Sequence, residues 1–104
     1  MITTQDAAKL ITDFTTWGCI HAEATYARHV EAYCKDGLPF LQGKELEDYA
    51  FQMVEIIFEC HFDSLSEEEL HDFLAHSNVP ILVSLYMQMF IARYRELLPG
   101  QGRE

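Results

Sequence analysis

Five histidines and three cysteines are the metal-ligating and nucleophilic side chains of this 104-residue sequence. Cys19-x-His21 and the adjacent Cys60-His61 form two short pairs that converge if the helices carrying them pack antiparallel. Glu68-x-x-His71 has the spacing of one ligand pair of a carboxylate-bridged di-iron site. Such a site needs that motif twice plus two further carboxylates, and a second Glu-x-x-His is absent. No spacing matches a zinc finger. Buried thiols and surface imidazoles account for the same residues, so no metal ligand is assigned.

Catalytic constellations fare similarly. Glu55 and Glu59 lie one helical turn apart and would be a coupled acid–base pair if buried. With Asp48 and Gln52 they instead form a narrow polar stripe, the expected solvent edge of an otherwise apolar helix. Cys34 with His29, or Cys60 with His71, gives a thiol and a base but no oxyanion donor or orienting third group. The sequence has no Gly-rich phosphate loop, G-x-S-x-G or Walker pattern. The expectation is a non-enzymatic chain with no catalytic residue and no cofactor.

The elements that would position these groups read as helices. Leu46 to Phe62 is apolar on nearly every side except that stripe, the pattern of a central helix covered by neighbours. The fold expected is all-α, one domain over 1–104, a compact bundle of four to five helices around a central apolar helix at about 44–61. The helices fall near 4–17, 20–35, 44–61, 66–76 and 80–98, the first two separate or joined with a kink at Gly18. Thr3 begins a capping-box-like start. Asp36-Gly37-Leu38-Pro39 and Pro99-Gly100 are stops, and residues 101–104 should fray. Ser66 with Glu69 is a full capping box, and Pro80 suits a first helical turn. The expected core comprises Leu10, Ile11, Phe14, Trp17, Tyr49, Met53, Ile57, Leu70, Phe73, Leu85 and Met89.

Seventeen acids against seven bases give a net charge of −10. That balance disfavours direct binding to nucleic acid or an anionic membrane, which need a basic footprint. No Lys or Arg occurs between Glu45 and Ala92, a span holding Glu45, Glu47, Asp48, Glu55, Glu59, Asp63, Glu67, Glu68, Glu69 and Asp72. The start MITTQDAAKL has no signal-peptide pattern, and Val79–Ala92 is too short to span a bilayer. The three cysteines suit free, mostly buried thiols in the cytoplasm.

Asp63-Ser64-Leu65-Ser66-Glu67-Glu68-Glu69-Leu70 resembles the acidic helix start of immunity proteins of nuclease colicins. The paired tyrosines of that family's short third helix have no counterpart here, and a capping box by itself generates the match. The function expected from charge is a protein-binding domain, an acidic inhibitor or immunity-type protein that occludes a basic surface of its target. Glu67, Glu68, Glu69 and Asp72 would be the contacts, backed by Glu45, Glu47 and Asp48. The competing classes are a small-molecule or metal-binding bundle, lined by residues such as Tyr86, Tyr94 and Met53, and a structural dimerisation module. The helix from Pro80 to about Leu98 is likewise apolar nearly all round. Two such helices exceed what a monomer of this length covers, which predicts a homodimer through Met87 and Phe90 of the last helix.

Overall fold

Asp36-Gly37 stops the first helix as its sequence requires. Gly37 takes a φ of 69°, the left-handed conformation glycine adopts without strain, and its N–H bonds the Tyr33 carbonyl at 2.9 Å. In the computed structural model, which describes residues 4–98, four helices follow in order. They are α1 (Thr4–Asp36), α2 (Gly43–Asp63), α3 (Glu67–His76) and α4 (Val79–Leu97). The described residues contain no strand. The expected features at Thr3, Pro99-Gly100 and 101–104 lie outside the described residues.

Local signals account for the starts of α3 and α4. Ser66 Oγ accepts the Glu69 N–H at 3.1 Å, and the Glu69 carboxylate accepts the Ser66 N–H at 2.9 Å. Two otherwise orphan donors at the start of α3 are thereby satisfied. Asn78 Oδ1 accepts the Ile81 N–H at 3.4 Å, and Pro80 occupies the first turn of α4.

The helices at 4–17 and 20–35 are one continuous 33-residue helix, without a break at Gly18. The glycine serves packing instead. A Cβ there would lie 2.7 Å from the Tyr86 carbonyl oxygen and 3.0 Å from Met89 Cβ, so its absence lets α1 and α4 approach closely. Ala22 and Thr25, both buried, continue this small-residue face. His21 meets Tyr86 and His29 meets Tyr94, both pairs 65 residues apart, so α1 and α4 run parallel. Phe14 stacks on Phe58 and Arg28 reaches Tyr49, so α2 runs antiparallel to α1. It stands farther off, bridged by large aromatic side chains.

The central helix is therefore α4. It packs on both α1 and α2, and Leu82, Tyr86, Phe90 and Tyr94 form its enclosed stripe. The expectation that 44–61 would be covered on most sides needs correcting: Phe51 and Ile56 of α2 are 46% and 54% exposed. The molecule measures 48 × 28 × 19 Å, about two helix diameters in its thin direction. Among the described residues no helix lies over the outer flank of α2.

Phe14 and Phe73 are enclosed as expected, but Ile11 and Trp17 are exposed and the other expected core residues are half-buried. The enclosed stripe of α2 is Leu46, Ala50, Val54 and Phe58, one residue along from Tyr49, Met53 and Ile57. On α4 it is likewise one residue along from Leu85 and Met89.

Candidate functional site

The longest-range polar contacts outside the surface ion pairs are two histidine–tyrosine pairs on the α1–α4 seam. His21 Nδ1 lies 2.7 Å from the Tyr86 hydroxyl, and His29 Nδ1 lies 2.7 Å from the Tyr94 hydroxyl. The Tyr94 oxygen also accepts the Leu41 N–H at 3.1 Å, which pins the α1–α2 connection to the core. Arg28 extends the network, donating to the Tyr49 hydroxyl at 3.3 Å and to Thr25 Oγ1 at 3.5 Å.

Burial sets the protonation of these groups. It lowers the pKa of His21 below the ordinary 6.5, and lowers that of His29 with help from the neighbouring Arg28 cation. It raises both phenols above the ordinary 10, although the Leu41 N–H partly offsets the effect at Tyr94. Each pair is thus neutral at pH 7, a hydrogen bond without charge. The unfolded chain binds protons at these histidines below about pH 6.5, where the folded chain still resists them, so stability rises with pH in that window. We expect the urea midpoint to hold above about pH 6.5, to fall as pH drops from there toward the lowered folded values, and to lose this dependence below them. In His21→Gln/His29→Gln that slope between about pH 6.5 and pH 5 flattens, because ordinary carboxylates titrate lower, near 4. An equal slope in the double variant would rule out this assignment.

The acids expected to bind a partner are all at the surface, Asp72 being half-buried. They form an elongated array. Glu45 and Asp63 sit at opposite ends of α2, about 27 Å apart at 1.5 Å per residue, with α3 beyond the lower end. Asp48, Glu55, Glu59 and Asp63 recur along the outer side of α2 at spacings of seven, four and four. Lys44 pairs with Asp48 at 3.1 Å, whereas Glu45, Glu47, Glu55, Glu59, Asp63, Glu67, Glu68 and Glu69 have no Lys or Arg partner among the described residues.

Beside that stripe runs an open groove of about 280 Å³ between α2 and α4. Val54 and Phe58 form its floor, Phe51, Phe62 and Val83 its walls, and Glu55 and Glu59 its outer rim. Glu55 and Glu59 are exposed, as expected for a solvent edge, which removes the basis for a buried carboxylate pair.

Of the residues expected at a dimer interface, Met87 is half-buried, but Phe90 is 0% exposed within the single chain. It sits among Tyr86, Tyr94 and Tyr49 and has no surface left to offer a second copy. Cys34 and Cys60 are exposed rather than buried, and all three thiols are free. Cys19-x-His21 and Cys60-His61 do not come together: His21 is held by Tyr86, whereas His61 packs edge-on to Phe73 at 5.0 Å. The described residues hold no group of three His, Cys, Asp or Glu side chains arranged for a metal. Nor do they include a single helix long and apolar enough to cross a membrane.

Sequence reasoning missed the His–Tyr pairs, although a signal was present. Both the histidines and their tyrosines are eight residues apart, about two and a quarter turns on each helix. No family model, curated protein or solved structure matches this chain.

Proposed function

We propose that this chain is a non-enzymatic protein-binding domain whose acidic side engages a partner with a basic surface, in the manner of an acidic inhibitor. The observation that carries this reading is the base-free span from Glu45 to Ala92 on the folded surface. Six of its acids lie on α2 and four on α3, and among the described residues Glu45, Glu47, Glu55, Glu59, Asp63, Glu67, Glu68 and Glu69 have no Lys or Arg beside them. A field of one sign with so few internal partners speeds encounter with an opposite charge and repels like-charged proteins. The neutral His–Tyr pairs fit a role in holding α1 to α4 rather than in acid–base chemistry. Three free thiols suit a reducing compartment such as the cytoplasm.

Self-association is the second mode, favoured by Ile11, Ile20 and Ile56, apolar side chains exposed on α1 and α2. Light scattering across a concentration series measures it directly, a monomer throughout excluding it.

The test of the first mode is capture of a partner from the native cell by wild type and by Glu67→Lys/Glu68→Lys/Glu69→Lys. Capture should weaken between about 0.1 M and about 1 M salt, as the screening length shrinks from about 10 Å to about 3 Å. It should also weaken in the charge-reversed variant. A partner held equally in all these conditions would eliminate the electrostatic mechanism.

A further inference from the structure

The groove between α2 and α4 has a geometry more specific than a charged surface. Along α2, Phe51, Glu55, Phe58 and Phe62 follow one another at spacings of four, three and four residues. That is the seam spacing by which one helix receives the knobs of another. The seam is open: Phe51 is half-exposed, and the groove stretches from residue 51 to 62, about 16 Å at 1.5 Å per residue. Three turns of a docked helix would fit this length.

The seam is also interrupted by charge. Glu55 stands where an apolar residue would continue it, and Glu59 follows one turn later on the same outer rim. Neither has a cationic partner among the described residues. The opposite wall is built from α4, where the uncharged Val83 lines the groove. A helix lying here would therefore meet carboxylates along one edge and neutral groups along the other.

We propose that this groove binds an amphipathic helix of a partner protein, with an apolar edge against Phe51, Phe58, Phe62 and Val83 and Lys or Arg along one flank to meet Glu55 and Glu59. The proposal rests on the basic-partner reading above and names its site. A partner of this kind gains twice from the seam. Its apolar anchors at i, i+4 and i+7 cover the exposed Phe51 and the half-buried Phe62 over the Phe58 floor, and its cations satisfy carboxylates that an all-apolar helix would leave unpaired. A second copy of this chain suits the site less well, because apposing two α2 seams crowds four rim carboxylates together.

Three synthetic peptides of about 18 residues, about 27 Å as helices, test this against the full-length, isotope-labelled protein by nuclear magnetic resonance. The first carries leucines at helical spacing with lysines on one flank. The second has the same composition in an order that abolishes the apolar face. The third has glutamates in place of the lysines. The first should bind at least tenfold more tightly than either other, with the largest shifts at the amides of Phe51, Glu55, Phe58, Phe62 and Val83. Phe51→Ala and Glu55→Gln, both at exposed positions, should each weaken it while leaving the circular dichroism spectrum unchanged.

Equal binding of the first two peptides, with shifts centred on α3, would overturn the groove while leaving the basic-partner reading intact. Equal binding of the first and third would overturn both. Failure of the first peptide to bind, or groove shifts that appear on concentrating the protein alone, would also overturn the proposal, the latter by giving the site to a second copy.

Discussion

Replacing Phe90 by alanine lowers the unfolding free energy by about 3–5 kcal/mol, and by the same amount at every protein concentration. Its ring is wholly enclosed, with ring centres 6.0 Å from Tyr86, 6.0 Å from Tyr49 and 6.4 Å from Tyr94. Truncation removes the apolar contact area of the ring and leaves a cavity between α2 and α4 that backbone hydrogen bonding prevents from closing fully. Native proteins are stable by about 5–15 kcal/mol, so the loss is a large fraction of the total. Urea denaturation at several concentrations is the measurement. A difference between variant and wild type that changes with concentration would mean that Phe90 acts between chains, since only association makes stability depend on mass action.

Gly18→Ala should be destabilising, against the usual sign for a helix interior. In an exposed helix the change is worth about 0.5–1 kcal/mol of stabilisation. Here the new methyl would meet the Tyr86 carbonyl oxygen at 2.7 Å, an atom fixed within α4, and Met89 Cβ at 3.0 Å. The two helices must separate, and overpacking of this kind costs about 1–3 kcal/mol. Gly18→Val, with two further methyls, belongs at or beyond the upper end of that range. The reverse substitution at the exposed Ala24, Ala24→Gly, supplies the control: it should lose about 0.5–1 kcal/mol through propensity alone. If Gly18→Ala raises the urea midpoint, the close α1–α4 approach is wrong.

The parts of this fold that were legible in the sequence are those decided within a few residues. The Ser66–Glu69 box, the Gly37 stop and Pro80 in a first turn each depend on backbone groups no more than four residues away. The identity of the central helix depends on contacts across the chain. α2 and α4 are both apolar nearly all round, and hydrophobic patterning weighs them about equally. The deciding residues are Gly18, Ala22 and Thr25, whose smallness admits α4 against α1 but adds little to an apolar stripe. The same shift in packing moved the enclosed stripes by one residue and placed Phe90 inside. At the candidate site, the acidic run was plain in the sequence. The groove beside it was not, because Val83 lines it from a different helix. The matched eight-residue intervals of His21–His29 and Tyr86–Tyr94 were readable, but only together, since neither interval alone implies a partner.

The parallel course of α1 and α4 governs the order in which the chain can fold. A helix and its antiparallel neighbour can pair as soon as the turn between them exists, but residues of α1 must wait for partners 65 positions later. At synthesis rates of about 5–20 residues per second, His29 precedes Tyr94 by about 3–13 s. Through that interval the Phe14–Gly18–Ala22–Thr25 face has only α2 to cover it, and α2 meets it through aromatic rings rather than close backbone contact. Closure of the α1–α4 seam is then a long-range event for an all-helical protein, and such non-local pairing slows folding relative to bundles built from successive hairpins. The newly made chain therefore holds its longest helix in waiting, exposed to chaperones and to other nascent chains, until α4 is made.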